Sequence, residues 1–320
     1  MQPDETERLQ ACLPAELRGP ETRITRASAG LSGAGVYLVK TPRQTVVLKV
    51  SAAGEPIEQW HRKLFIQEHA ANVGVAPRLL HVDEERRATV SELVVDRSFA
   101  AYCGNPTTRD DAIALLGRTL RRVHELPLPP GEGAKDPRDF IGGFWTRLRG
   151  QFAIPSFAEH AIDGFLAEQP PSDRVVVLSH NDINPSNIIY DGTHLMLVDW
   201  DMTAPNDPYF DLGTASLFFR MDGPACRQLL SAHEGERVTE IPPRFAYHRR
   251  LSAALCGVMF LHLARVNGHP GASGTETLET TPTLGDFYQQ LRAGAVKVGS
   301  ADGNWAFALA LLKAARETLA

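Results

Sequence analysis

Four polar residues within one short segment have the types and the spacing of a phosphoryl-transfer site. The segment LSHNDINPSNIIYDGTHLMLVDWD contains His180, Asp182, Asn187 and Asp199. An isolated Asp or Asn in a loop is most simply a turn former. Their order is His-x-Asp, four residues, Asn, eleven residues, Asp, which is typical of sites that activate a hydroxyl group and hold metal-bound phosphates. The segment is therefore predicted to be catalytic.

The residues around this segment predict how its side chains meet. Apolar runs flank the turn DGTH at 191–194, so we expect a hairpin that brings Asn187 and Asp199 together. An amide oxygen and a carboxylate suit Mg²⁺, which completes its shell with water and phosphate oxygens. Asp182 precedes the hairpin on a loop and is the predicted base for an attacking hydroxyl. We expect His180 to support the catalytic loop rather than to transfer protons.

A nucleotide site of this kind needs a lysine and a glycine-rich turn, and both occur earlier in the chain. Lys49 lies in the apolar run VVLKV, where its ammonium would reach the α- and β-phosphates. The loop AGLSGAGVY places Gly30, Gly33 and Gly35 between the first two predicted strands. Glycines at these positions would let the backbone approach phosphate closely, although the spacing is not G-x-G-x-x-G.

Two further ATP contacts are predicted from the same region. We expect Glu68, on the helix that ends before Gly74, to pair with Lys49, with Glu58 as the alternative partner. The run SELVV at 91–95 precedes a change in the character of the chain. Its backbone is expected to bind adenine as a hinge, and the residues assigned to this contact are Ser91, Glu92 and Leu93.

The elements that position these residues divide the chain into two lobes. Residues 22–95 contain five β-branched runs and one helical pattern at 55–73, which predict a small five-stranded antiparallel lobe with one helix. Residues 96–320 are mainly helical, with patterns at 107–126, 155–168, 211–221, 251–266 and 304–319. Residues 1–21 are assigned to an N-terminal extension. The predicted fold class is α+β.

Composition excludes several other classes of protein. The chain has 320 residues, 43% of them hydrophobic, and a net charge of -5, so no overall basic field favours nucleic acid. The apolar stretch at 251–264 is too short to span a membrane. The N-terminus is acidic where a secretory signal would be basic, and the four cysteines form no CxxC pair. These features predict a cytoplasmic protein without a membrane span.

The quoted motifs resemble those of the aminoglycoside phosphotransferase and choline kinase superfamily. HNDINPSN, LVDWD and DPYFDLG carry the resemblance, together with LRRVHELP at 120–127 and GVAPRLL at 74–80. It covers roughly residues 22–220 and implies a bilobal protein-kinase-like fold, with ATP and Mg²⁺ as cofactors. It also implies transfer of the γ-phosphate to a hydroxyl group of a small molecule, and it makes Asp211 the acidic residue that braces the catalytic loop.

The acceptor is the part of the function with the fewest sequence signals. Asp199 and Asp211 are separated by eleven residues, which leaves little room for the activation segment of a protein kinase. Aromatic and acidic side chains after Asp199 are expected to bind a cationic acceptor: Trp200, Asp201, Asp207 and Tyr209. Choline-, ethanolamine- or thiamine-like amino-alcohols are favoured. Aminoglycosides are the alternative, neutral sugars stay open, and a non-catalytic nucleotide-binding scaffold is a further alternative.

Overall fold

The N-terminal part of the molecule is built on an antiparallel five-stranded sheet, as the β-branched runs predict. The computed structural model describes residues 3–27, 34–129, 131 and 136–316. The strands lie in the order β1-β2-β3-β5-β4, and their bounds are β1 (Arg23–Arg26), β2 (Gly35–Lys40), β3 (Thr45–Val50), β4 (Leu79–Asp83) and β5 (Ala88–Glu92).

Two helices accompany this sheet. Helix α2 (Ile57–Asn72) lies where the helical pattern predicted one. Helix α1 (Pro3–Ala11) and the short turn Ala15–Leu17 precede the sheet. Leu13 is fully buried in the same hydrophobic cluster as Leu48 of β3. The segment predicted as a separate extension therefore helps to form the core beneath the sheet, while the division of the chain into lobes stays a prediction.

The C-terminal part is mainly helical, which confirms the predicted α+β class. Its helices within the described residues are α3 (Phe99–Gly104), α4 (Arg109–His124), α5 (Pro137–Leu148), α6 (Ser156–Ala167), α7 (Pro208–Phe218), α8 (Gly223–Glu234), α9 (Pro243–Val266), α10 (Leu284–Arg292) and α11 (Ala301–Ala314). No helix in these ranges combines the length and the apolar character that crossing a bilayer requires.

Two short antiparallel ladders lie between α6 and α7 and carry the predicted catalytic segment. Strand β6 (Val177–Ser179) pairs with β9 (Ala204–Asn206). Strand β7 (Ile188–Tyr190) pairs with β8 (Leu195–Leu197), so the predicted hairpin is confirmed. The hairpin packs into a buried cluster that includes Leu116 and Leu120 of α4, which fixes it to the helical part of the molecule.

Candidate active site

The turn of the β7–β8 hairpin is closed by its own residues. The carboxylate of Asp191 accepts hydrogen bonds from the backbone N–H groups of Thr193 and His194, both at 2.7 Å. Gly192 has φ +106°, a backbone conformation that residues other than glycine rarely adopt. Beyond the strands, the N–H of Val198 donates to the carbonyl of Asn187 at 3.0 Å. The ladder therefore brings the backbone of Asn187 next to the residue that precedes Asp199.

Two asparagines orient the predicted base. Asn187 Nδ2 donates to Asp182 Oδ2 at 2.7 Å and to the Asp182 carbonyl at 3.0 Å. Asn184 Nδ2 donates to the other carboxylate oxygen at 2.9 Å. Asp182 is partly exposed, and an ionised carboxylate has further lone pairs on each oxygen. It can therefore accept a proton while its orientation is held by two amides.

Lys49 of β3 reaches across to the residue that follows β8. Its Nζ lies 3.4 Å from Asp199 Oδ1, and the two residues are 150 positions apart in the sequence. Asp199 has a left-handed backbone conformation with φ +63°, which is uncommon outside glycine and often marks functional sites. The predicted phosphate-binding lysine and the predicted metal-binding carboxylate thus meet between the five-stranded sheet and the mainly helical part.

The catalytic loop is held by a buried carboxylate. Asp211 is fully buried in the first turn of α7. Its oxygens accept the backbone N–H of His180 at 2.7 Å and of Asn181 at 2.8 Å. Asp207 caps α7 by accepting from the Tyr209 N–H, and this cap fixes where the helix begins. Asp211 therefore occupies the position in which a bracing residue was predicted.

His180 is a structural member of this loop. Its ring is fully buried and lies edge-on to Trp200, with centroids 4.8 Å apart. Its Nε2–H donates to the carbonyl of Val198 at 3.2 Å. Burial lowers the pKa of His180 despite the nearby carboxylates, so the ring stays neutral. This arrangement supports the interpretation of His180 as a support for the loop.

A pair of buried histidines continues from Asp211 toward the surface. His124 Nε2 lies 3.1 Å from Asp211 Oδ2, and His124 Nδ1 lies 2.9 Å from His233 Nε2. His233 Nδ1 lies 3.2 Å from Glu234 Oε1. Burial and the neighbouring His124 lower the pKa of His233 to about 4, so the His233 ring is neutral near pH 7. The three contacts link Asp211 to Glu234 through the two histidine rings.

A network of alternating charges surrounds Lys49. Asp201 Oδ1 lies 2.9 Å from Lys49 Nζ and 3.2 Å from Lys63 Nζ. Lys63 also pairs with Glu55 at 2.6 Å, and Glu55 accepts from the hydroxyl of Ser51. Burial opposes charge on Asp201, but the two lysines lower its pKa. Burial likewise opposes charge on Lys63, but Glu55 and Asp201 raise its pKa. Asp201, Lys63 and Glu55 are therefore charged near neutral pH.

A cleft with a volume of about 390 Å³ contains this network, which is the size range of small-molecule sites. Ser91 of β5 lines it, as the adenine-hinge prediction requires. Glu92 pairs with the exposed Arg78, and Leu93 is exposed, so neither side chain lines the cleft. Gly35 is the first residue of β2. The predicted glycines Gly30 and Gly33 lie outside the described residues.

The helix that faces Lys49 does not supply the predicted glutamate. Glu68 is exposed on α2, whereas Lys63 and Gln67 of the same helix line the cleft. Lys63 and Gln67 are four positions apart and so share one face of the helix, whereas Glu68, one position further, points away from that face. The predicted pair of Lys49 with Glu68 is therefore not formed, and Asp201 is the carboxylate nearest to Lys49 among its recorded ion pairs.

The four predicted acceptor residues do not form one open surface. Trp200 is buried and donates from Nε1 to the carbonyl of Leu197. Asp207 is fully buried, and its Oδ2 lies 3.5 Å from both Arg244 and His248. Tyr209 is buried beneath the same arginine. Asp201 pairs with the lysines of the cleft. In this structure these side chains stabilise the fold and the cleft, and they present no acidic and aromatic surface to an acceptor.

Several residues of the site were not predicted. Asn181 lies between the predicted residues His180 and Asp182, and its side chain donates to the carbonyls of Met202 and Ala204. A search for side-chain donors within the motif would have found it. His124 lies in the quoted motif LRRVHELP. Nothing in the local sequence marked Lys63 as a residue of the site, because lysines on the exposed face of a helix are common. Asn184 lies in the same motif as Asn181 and could have been found in the same way. The other contributors without a signal are Glu55, Asn206 and His233.

The donor atoms of the hairpin fit a hard divalent cation. Both hydrogen bonds of the Asn187 amide nitrogen go to Asp182, which leaves the amide oxygen as a ligand. Asp199 adds a carboxylate that is 40% exposed. Within the described ranges no three His, Cys, Asp or Glu side chains form a metal-binding group. Two protein oxygens suit Mg²⁺, which is usually held by few side chains together with water and phosphate.

The sheet, the helical part and the cleft between them define a kinase-like class of protein. A family model described as "Phosphotransferase enzyme family" (APH) matches residues 23–251. The chain therefore belongs to this phosphotransferase family, as its motifs indicated. No curated protein sequence matches the chain.

Solved structures share this fold. A choline/ethanolamine kinase family protein from Mesorhizobium loti is 20% identical, with a TM-score of 0.63 and coverage of 98% of this chain and 99% of that one. Choline kinase LicA from Streptococcus pneumoniae is 17% identical, with a TM-score of 0.57 and coverage of 86% and 94%. An aminoglycoside-3'-phosphotransferase of type VIII is 19% identical, with a TM-score of 0.53 and coverage of 79% and 98%. At these identities the likeness shows the fold.

Proposed function

We propose that the protein transfers the γ-phosphate of ATP to a hydroxyl group of a small molecule, with Mg²⁺ as cofactor. The observation that carries the proposal is the ion pair of Lys49 with Asp199, beside a hairpin whose Asn187 orients Asp182. A cation for phosphate, two oxygen ligands for a metal and a carboxylate base converge there. Few other reactions need these three functions together. The nucleotide would lie between the predicted lobes 22–95 and 96–320.

In the proposed reaction, the acceptor hydroxyl oxygen attacks the γ-phosphorus and its proton passes to Asp182. The bond between the γ-phosphorus and the bridging oxygen breaks, and ADP leaves. Asn184 and Asn187 orient the Asp182 carboxylate, which places the base before the acceptor arrives. Asp211 holds the loop backbone on the other side.

The phosphates are the proposed ligands of Lys49 and of the metal site. Mg²⁺ bound by Asn187 and Asp199 would neutralise charge on the phosphate oxygens. Lys49 is held by Asp199 and Asp201, so its side chain is already ordered before a nucleotide binds and little conformational entropy is lost. A structure of LicA in complex with AMP, 18% identical to this chain with a TM-score of 0.56, supports nucleotide binding by this fold.

For the acceptor we propose a cationic amino-alcohol of the choline or ethanolamine type. The match in fold to the choline/ethanolamine kinase family protein extends over nearly the whole of both chains, which supports this class. Trp200, Asp207 and Tyr209 are buried, so the prediction that these side chains bind a cationic acceptor no longer supports this class. Aminoglycosides are the second candidate, supported by the match to the 3'-phosphotransferase.

The test is ADP formation with ATP and Mg²⁺ across amino-alcohols, aminoglycosides, neutral sugars and nucleosides, followed by the mass of each product. An amino-alcohol that gains one phosphate supports the proposal in full. An aminoglycoside product would replace the acceptor class and keep the reaction. Binding of ATP without transfer to any acceptor would favour the nucleotide-binding scaffold.

A further inference from the structure

The cleft contains a second lysine that the phosphotransferase motifs do not include. Lys63 and Lys49 both bind Oδ1 of Asp201, at 3.2 Å and 2.9 Å. The two Nζ atoms therefore lie about 6 Å apart or less, since those distances are two sides of the triangle they form with that oxygen. Lys49 comes from the sheet and Lys63 from α2. Two ammonium groups from different elements thus converge on one point of the cleft wall.

The partners of Lys63 hold it without using all of its donors. An ammonium has three N–H donors. Within the described residues, Glu55 and Asp201 take two of them, at 2.6 Å and 3.2 Å. The Lys63 side chain is 25% exposed and lines the cleft. A third donor is therefore available to a ligand in the cleft while the other two keep the side chain in place.

Asp201 is arranged as a shared counterion rather than as a ligand site. Both lysines bind its Oδ1, and its Oδ2 is buried without a hydrogen-bond partner in the described part of the structure. Its side chain is 12% exposed. One carboxylate that neutralises two ammonium groups reduces their mutual repulsion, so both can lie close enough to serve one polyanion.

From this geometry we propose that Lys63 is a second phosphate-binding lysine, positioned by Glu55 and Asp201. The inference rests on the proposed nucleotide-dependent function. Lys63 lies on the face of α2 that turns to the cleft, whereas Glu68, the predicted partner of Lys49, does not. In this chain Asp201 serves as the carboxylate partner instead, and the helix face offers a cation to the polyphosphate.

The proposal distinguishes a phosphate contact from a role in packing. A lysine that binds phosphate contributes more as the charge on the ligand increases. Asp201 lies in a short helical turn, Trp200–Met202, and a lysine that only fastens α2 to this turn would affect every ligand of the cleft alike. Loss of one charge-assisted hydrogen bond typically lowers affinity about 10-fold or more. We therefore expect the Lys63→Met effect to be largest for ATP and inorganic triphosphate, smaller for AMP and nearly absent for adenosine.

The experiment is calorimetric binding of inorganic triphosphate, ATP, AMP and adenosine to the full chain with Mg²⁺. It compares wild type with Lys63→Met and with Lys40→Met, a control that removes the same charge from an exposed position of β2. The expected result is an ATP affinity at least about 10-fold weaker in Lys63→Met, with adenosine within about twofold, and Lys40→Met unchanged. If Lys63→Met does not fold, Lys63→Gln takes its place.

Three results would overturn the proposal. Wild-type affinity for ATP and triphosphate in Lys63→Met would remove Lys63 from the phosphate site while the proposed function stands. An equal loss for adenosine and ATP would assign Lys63 to packing. Absence of ATP binding by the wild type would remove the proposed function and the lysine's role together.

Discussion

One carboxylate oxygen of Asp211 accepts the backbone N–H of His180 at 2.7 Å. The other oxygen accepts the N–H of Asn181, and Asn181 has a left-handed backbone with φ +63°. Two consecutive N–H groups bound to one buried anion fix the direction in which the loop continues. The residue that follows is Asp182, so the position of the proposed base depends on a helix residue 29 positions later.

Asp211→Asn is expected to lower both stability and activity. An amide offers one acceptor oxygen, and its nitrogen would face a backbone N–H. One buried donor therefore loses its partner, and His124 loses its carboxylate neighbour. We expect the free energy of unfolding to fall by about 3 kcal/mol. Urea unfolding at neutral pH measures the change.

Asp191→Asn is the matched control for this substitution. Asp191 also accepts two backbone N–H groups, but it does so in the partly exposed hairpin turn. Water can replace its bonds, so we expect a loss of at most about 1 kcal/mol. Equal losses in the two variants would show that burial of the Asp211 contacts contributes nothing special.

Lowering the pH is expected to reduce the stability of the protein because of His233. Burial and His124 lower its pKa from 6.5 to about 4. As pH falls below 6.5, the unfolded chain takes up a proton at this residue while the folded protein resists it until about pH 4. The free energy of unfolding then decreases by up to about 1.4 kcal/mol per pH unit in that window. Urea unfolding at several pH values between 7 and 5 measures this slope.

The variant His233→Gln should flatten that part of the pH dependence. His194→Gln is the control, because His194 is 63% exposed in the hairpin turn and its removal should leave the slope as it is. If the slope in His233→Gln equals that of the wild type, protonation at His233 is not its source.

Helices α7 and α9 pack so closely at Gly213 that we expect no methyl group to fit there. A Cβ on Gly213 would lie 2.8 Å from the backbone nitrogen and 2.9 Å from the Cα of Arg249. Backbone cannot move aside as a flexible side chain can, so Gly213→Ala should destabilise the protein by about 1–3 kcal/mol. Thermal unfolding of Gly142→Ala, where the new Cβ would meet nothing within 4 Å, should show no loss. Similar melting temperatures for the two variants would contradict the close approach.

Much of the site was predictable because its signals are local. The hairpin follows from apolar runs around a DGTH turn, and Asp182, Asn187 and Asp199 come within one segment. The strands were predictable for the same reason. Helices α1, α3, α5, α8 and α10 were not predicted. Of these, α3 has six residues and α1 and α10 have nine, lengths at which a periodic pattern is weak.

The remaining parts depend on contacts between distant segments. Which face of α2 turns to the cleft is set by packing against the sheet and the Trp200–Met202 turn, so Glu68 and Lys63 were indistinguishable in sequence. The partners of Asp207, which are Arg244 and His248 of α9, are likewise invisible before the helices are assembled. For this reason an acidic segment after Asp199 was taken for an acceptor surface, although most of its side chains are buried.

Turnover by Asp182→Asn, measured with the best acceptor from the panel, tests the proposed chemistry most directly. The amide keeps the size of the side chain but cannot accept the hydroxyl proton, so we expect kcat to fall by about 10²–10⁴-fold. Asp182 is not one of the proposed ligands of ATP or Mg²⁺, so ATP affinity should stay within a few-fold of wild type. A folded Asp182→Asn enzyme that retained full turnover would contradict the assignment of Asp182 as the base.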